Sequence, residues 1–320
     1  MRRRALLLAL ALVLVVGAVA LVGSLASSDH KDGGASPSPR VAARVPIRGS
    51  STAIAAGEGG VWVGVERPDG GAVVRIDPTT NAVATEIPLP AVPDDLVAGS
   101  GAVWASAEER HRGPAVFRID PSTNRVTAEV DGVSGPLAVD AGGVWAIARG
   151  TGVWKLALVR FDPQTTRVQL RRHVEAVPAA LATGAGSVWV LDSGKITRYS
   201  SDSGRPEATI RVGSDRTGLA AGDGGAWVSG GTTALRIDPS TNRPSGLPLE
   251  IGPARPFAVV GSRLLYVGRR GVCSLTPTTG DPGTCTGVGS RPLSATLDES
   301  GRSIWAVAGD AIVRIDLEAT

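Results

Sequence analysis

Arginine is the residue with the most chemistry to offer in this chain, and it stands where one apolar run gives way to the next. Arg48, Arg216, Arg255 and Arg291 each occupy such a junction, and Arg269-Arg270 form a pair inside a short Gly-flanked link. A guanidinium is a planar fork of donors that stays charged, so several brought together would hold a carboxylate, sulfate or phosphate group. Asp94-Asp95 and Glu108 offer the second candidate chemistry. Two carboxylates divide acid and base roles when their surroundings push their ionisation apart. Trp154 lies in a loop and could stack on a sugar or anchor a partner. Other routes are closed. There is no HExxH, no GxSxG and no cysteine pair at metal-ligand spacing. The Asp-Pro-Ser/Thr-Thr-Asn loops at 77–81, 120–124 and 238–242 hold one carboxylate each, which turn chemistry explains without calcium. Gly184-Ala185-Gly186 sits between strand-like runs and not before a helix, so it is no phosphate loop. No metal, cofactor or catalytic residue is expected.

What must position these groups is a repeat. From Ile54 to Leu89 the chain shows a small-residue run, a Gly turn, an apolar run around Trp62, a polar loop, Arg75-Ile76-Asp77 and a last run. The tryptophan frame returns at Trp104, Trp145, Trp189, Trp227, Tyr266 and Trp305, in steps of 38 to 44 residues. Beside it recur Arg118-Ile119-Asp120, Arg160-Phe161-Asp162, Arg198-Tyr199-Ser200, Arg236-Ile237-Asp238, Leu275-Thr276 and Arg314-Ile315-Asp316. That period marks one supersecondary unit stacked on copies of itself. Each copy holds four short runs rich in Val and Ile, too short for helices. Gly57-Glu58-Gly59 and Pro78-Thr79-Thr80-Asn81 suit tight turns. The strands are apolar on both faces, so each sheet must be covered on both sides. The fold class that follows is all-β: a seven-bladed β-propeller of four-stranded antiparallel blades.

The last copy supplies only three runs. The spare run Val41–Ile47 completes it, so the ring is expected to close through an N-terminal strand in the last blade. Around that ring the junction arginines 216, 255, 291 and 48 fall on consecutive blades, with Arg269 and Arg270 beside them. Asp94, Asp95, Asp131 and Glu175 occupy the opposite arc. A mouth polarised in this way would focus its field on an anionic group, with Trp154 across it.

Three segments are expected: 1–26, 27–40 and the propeller at 41–320. Met1-Arg2-Arg3-Arg4 precedes an uncharged apolar run, 5–26, of bilayer length, followed by a Gly/Ser/Pro stalk. The reading is a single-pass cell-membrane anchor with the propeller extracytoplasmic. Cleavage at Ser24-Leu25-Ala26 and secretion is the alternative. Residues 41–320 carry 28 basic and 28 acidic side chains, a balance without a footprint for nucleic acid. Cys273 and Cys285, the two cysteines, fall nearly opposite each other on the third and fourth strands of copy six. In an oxidising compartment they are expected to form a disulfide, which contributes about 3 kcal/mol at most.

The phrases Gly99–Ser106 (GSGAVWAS) and Arg118–Val130 (RIDPSTNRVTAEV) resemble the YVTN-type propeller repeat, widespread in secreted and surface-attached bacterial proteins. The likeness covers about residues 41–320. A more distant likeness is to the streptogramin-lyase propellers, which share the Trp-bearing second strand and act through a mouth His and Glu. Here the histidines are His30, His111 and His173, none in blades four to seven, so this resemblance implies the scaffold and not that chemistry. The function expected is a non-catalytic binding or sensing scaffold, acting as a monomer, with an anionic small molecule, glycan or protein at the mouth. The alternative is a lyase or hydrolase using Asp94, Asp95 and Glu108.

Overall fold

The computed structural model describes residues 39–149, 156–260, 263–276 and 282–317. The apolar run, nearly all of the stalk and Trp154 therefore lie outside the described residues. Among those described, every regular element is a strand, and no helix is long and apolar enough to cross a membrane. The strands form seven four-stranded antiparallel sheets. Blade 1 is Ser51–Gly57, Gly60–Arg67, Gly70–Asp77 and Ala82–Leu89, in that spatial order. The first strands of successive blades pack side by side, and that of blade 7, Ala295–Leu297, packs on that of blade 1. The ring is closed, as expected. Its closing strand is Arg40–Pro46, antiparallel to Ala311–Asp316 with Val45 opposite Ile312. Val45 and Ile47 are buried beside Trp305 and the blade 1 valines, so this strand is fixed by side chains as well as by its backbone ladder.

Strand alternation explains the Arg-Ile-Asp landmark. Successive residues face opposite sides of a sheet. In the third strand of blade 1, Ile76 turns to one side and is fully buried, while Arg75 turns to the other, paired with Trp62. The guanidinium lies 4.9 Å from the Trp62 ring centroid, and the same stack recurs at Arg118/Trp104, Arg160/Trp145, Arg198/Trp189 and Arg314/Trp305. From this stacked position each arginine reaches the next blade. Arg75 Nη1 donates to the Pro121 carbonyl at 2.7 Å and to Asn124 Oδ1 at 2.8 Å. Arg118 donates to Pro163 O, Arg160 to Ser201 O, and Arg198 to Pro239 O and Asn242 Oδ1. Arg314 crosses the closure to Pro78 O and Asn81 Oδ1.

The receiving loops are built for this. In blade 1 the Asp77 carboxylate accepts the Thr79 and Thr80 N–H groups, and Asn81 takes the left-handed conformation at φ 55°. Those donors hold Asp77 below its ordinary ionisation, as they do the corresponding Asp120, Asp162 and Asp238. The asparagine thus serves twice: it tolerates positive φ, which glycine would also do, and its amide oxygen receives the neighbouring arginine.

Blade 6 departs from the frame. Tyr266 pairs with Cys273 and packs on Trp227 together with Leu264 and Leu275, on the face that Val61, Val63 and Ile76 present in blade 1. The tryptophan position therefore belongs to Leu265, paired with Ser274, and Tyr266 stands one residue beyond it. Matching by aromatic type chose the wrong side of the strand, because a slip of one residue exchanges the two faces. Ser274-Leu275-Thr276 accordingly replaces the Arg-Ile-Asp unit. Cys273 and Cys285 sit opposite each other on the third and outer strands and are bonded, with S–S 2.08 Å.

A desolvated cation–π stack of this kind contributes up to about 2 kcal/mol, and a hydrogen bond from a charged donor about 2 kcal/mol. Replacing Arg75 or Arg198 with Ala should therefore lower stability by about 2–4 kcal/mol in urea denaturation. Arg125→Ala, on an exposed side chain, should stay within about 0.5 kcal/mol.

Candidate functional site

The face that carries the junctions between blades also carries the turns between second and third strands. A cavity of about 500 Å³ opens there, with walls from blades 5, 6, 7 and 1. Arg255 and Arg291 both line it, each supplied by the start of its blade, together with Thr52, Thr217, Pro253 and Leu293. This is the arc that junction counting picks out, with two of its four arginines in place. Arg216 is elsewhere engaged. Its side chain is 10% exposed and donates to the Val212 carbonyl and to the carbonyl and hydroxyl of Thr233, with Asp215 3.7 Å away. It fastens the junction between blades 4 and 5. Arg48 is exposed and lines neither this cavity nor the smaller one beside it; its carbonyl accepts Arg67 Nη1. Arg269 and Arg270 line that smaller cavity, between blades 5 and 6.

The two threonines were not legible as site residues. In blades 1, 2, 5 and 6 the pairing of the inner strand with the second strand skips a residue: Thr52, Asp94, Thr217 and Phe257. A bulge re-aims the extra side chain. In blades 1 and 5 it brings Thr52 and Thr217 to the mouth cavity. A polar residue straight after the junction, as in Ser50-Ser51-Thr52 and Asp215-Arg216-Thr217, was the available signal.

The charges on the two arcs differ in how they are spent. On the acidic side Glu108 pairs with Arg149 at 3.4 Å, Arg112 contacts Glu129 and Asp131, and Glu175 pairs with Lys195 at 2.5 Å. That arc neutralises itself. Arg255, Arg291, Arg269 and Arg270 have no ion-pair partner among the described residues, so the positive potential is left over the cavities.

Asp94 and Asp95 lie on the inner strand of blade 2 and do different things. Asp94 is exposed and accepts the hydroxyl of the buried Ser106. Asp95 points between blades. Its Oδ2 accepts the Leu137 N–H of blade 3 at 2.7 Å and its Oδ1 the Leu96 N–H at 2.9 Å. Gly135 leaves room for it, since a Cβ there would stand 3.2 Å from Asp95 Cβ and 2.9 Å from Ser106 Oγ. Burial pushes Asp95 up to about 6, against the lowering effect of the two N–H donors, with Asp94 adding a smaller upward push. Asp95 therefore staples blade 2 to blade 3, with both oxygens committed.

The folded protein keeps a proton that the unfolded chain releases near pH 4, so Asp95 costs nothing below that pH. Stability falls as pH rises towards 6, and a charged carboxylate is then carried inside the ring. For a rise from 3.8 to about 6 the cost is roughly 3 kcal/mol at its upper limit. Asp95→Asn should gain about 2–3 kcal/mol relative to the native chain between about pH 4 and pH 7.5 in paired denaturation curves. Parallel curves at the two pH values would remove Asp95 from this role.

No protein-family model and no characterised protein sequence matches the chain. Solved structures do. A chain in the crystal structure of the mitotic checkpoint complex superposes with a TM-score of 0.70 at 11% identity, covering 95% of this chain and 100% of its own. BamB from Moraxella catarrhalis superposes with a TM-score of 0.59 at 14% identity, covering 85% of this chain and 84% of its own. At such identities the likeness is one of fold, and the fold it supports is the β-propeller.

Proposed function

We propose that this chain is an extracytoplasmic, membrane-anchored propeller of the YVTN type that holds an anionic group at its mouth as a non-catalytic binding scaffold. The observation that carries this is the convergence of Arg255 and Arg291, from successive junctions, on one cavity of about 500 Å³, with their charge unspent among the described residues. Thr52 and Thr217 add hydroxyls, and Leu293, 60% exposed, adds an apolar wall. Guanidinium forks with hydroxyls and an apolar wall suit an oxyanion carried on a small molecule, a glycan or a peptide. The propeller fold shared with BamB and with the checkpoint-complex chain is consistent with a binding role. The Cys273–Cys285 disulfide supports an oxidising compartment, and the uncharged run at 5–26 supports the anchor.

Two experiments test this. A thermal-shift screen against sulfated and uronic glycans, phosphates and dicarboxylates should give a hit whose shift disappears in the double variant Arg255→Glu/Arg291→Glu; an undiminished shift would place binding elsewhere. Fractionation of cells bearing a C-terminal tag should find the protein in the membrane pellet. A soluble secreted product beginning near Ser27 would replace the anchor with a cleaved leader.

A further inference from the structure

The smaller cavity, about 240 Å³ between blades 5 and 6, adjoins the mouth through Pro253, which lines both. Tyr266 lines it; packing accounts for its ring but not for its hydroxyl. The residue that follows the tryptophan position is Val63, Ala105, Ala146, Val190, Val228 and Ala306 in the other blades, so a small aliphatic group suffices to fill the interface. Blade 6 places a phenol there. Its ring is 3% exposed, packs with Trp227, Ile251 and Ala254, and runs alongside Gly268, whose missing Cβ would stand 3.6 Å from it. Its hydroxyl has no hydrogen-bond partner among the described residues. The hydroxyl is not sealed in the interface but opens to the cavity, so a ligand oxygen can reach it. Burial holds its ionisation above the ordinary value while the nearby Arg270 charge pulls it down, so at neutral pH the group is an O–H donor without an acceptor.

Three further features complete the site. The turn Gly268–Gly271 carries Arg269 and Arg270, and both line the cavity. Ile251 and Pro253 give it flat apolar walls, and Glu250 stands on the rim. Two guanidiniums and one carboxylate leave a single positive charge, which a singly charged planar anion balances better than a phosphate dianion.

We propose that this cavity is a second binding subsite that takes a carboxylate group, with the Tyr266 hydroxyl donating to one oxygen and the Arg269 and Arg270 forks to both. It stands on residues distinct from the arginines of the mouth, so either assignment can fail alone. The carboxylate comes from a small organic acid or from an acidic side chain of a peptide; the chemistry is the same and the probes separate the sources.

The chain has two tyrosines, Tyr199 and Tyr266, so full-length protein labelled with ring-¹³C tyrosine gives one reporter at the site and one reference in blade 4. Titration with propionate, and separately with a blocked glutamate amide, each carrying one carboxylate, should move the Tyr266 resonance saturably and leave Tyr199 still. The probe that saturates at the lower concentration identifies the source. Arg269→Gln/Arg270→Gln should weaken that response at least tenfold, and Arg255→Gln/Arg291→Gln should preserve it. Tyr266→Phe, which keeps the ring and its packing, should weaken binding of the same probe at least fivefold by calorimetry. A Tyr266 resonance unmoved by both probes, or one that responds equally in Arg269→Gln/Arg270→Gln, would overturn the subsite. Inorganic phosphate saturating below either carboxylate would overturn its assigned chemistry. Loss of the response in Arg255→Gln/Arg291→Gln would overturn its independence from the mouth.

Discussion

One guanidinium, used over and over, holds the ring together. Stacked on the tryptophan of its own blade, it has lost most of its water, and its remaining donors must be satisfied in a fixed direction. The carbonyl at the start of the next blade's last turn lies in that direction. The contact ties the sheet interior of one blade to the hairpin of the next, so neither can shift without losing the hydrogen bonds of a part-buried charge. Around the propeller this belt joins blades 1 to 2, 2 to 3, 3 to 4, 4 to 5 and 7 to 1. Hydrophobic burial makes each interface favourable, and the belt sets its register.

This division of labour leaves the opposite face free to vary. Tryptophan stack, arginine belt and Asp-Pro-x-Thr-Asn turn all belong to the end of the blade where third strand meets fourth. Junctions and second turns project from the other end, where no belt residue is needed. Glu108 with Arg149, Glu129 with Arg112 and Glu175 with Lys195 pair off on one arc, while blades 6 and 7 keep their cations and border the cavities. Inner-strand bulges add a second source of variation, because one extra residue turns a threonine or an aspartate without disturbing the strand beneath it.

The architecture was legible because it is written seven times. Trp62 and Arg75 each recur, and the pairing partner of the N-terminal strand follows from a missing fourth run. What was not legible depends on which way a side chain turns once its strand is in register. Arg216 and Arg255 hold equivalent places in the sequence, yet one is drawn back onto Thr233 and Val212 while the other lines the mouth. Asp95 reads as a mouth acid beside Asp94, but alternation turns it between blades, to the backbone of Leu137. Thr52 and Thr217 reach the cavity through bulges, which leave no periodic trace. Tyr266 mimics the tryptophan frame in residue type and misses it by one position.

A closed ring has no terminal repeat from which to fray, so each joint between blades bears on the whole. Among the described residues the joints at blade 6 carry no belt contact. Ser274 stands where a belt arginine would be, and Arg236 of blade 5 donates to the Gly224 carbonyl of its own blade. The disulfide braces the blade internally, from third strand to fourth, and does not tie it to either neighbour. Among the described residues blade 6 is joined to its neighbours by apolar clusters, Tyr266 and Leu264 with Trp227 on one side and Leu265 and Val267 with Ile304 and Ala306 on the other, like a panel held by its faces and not by pins. Both cavities border that panel, so the spacing of Arg255 from Arg291 and of Tyr266 from Ile251 is set by apolar packing, which fixes distance without fixing direction.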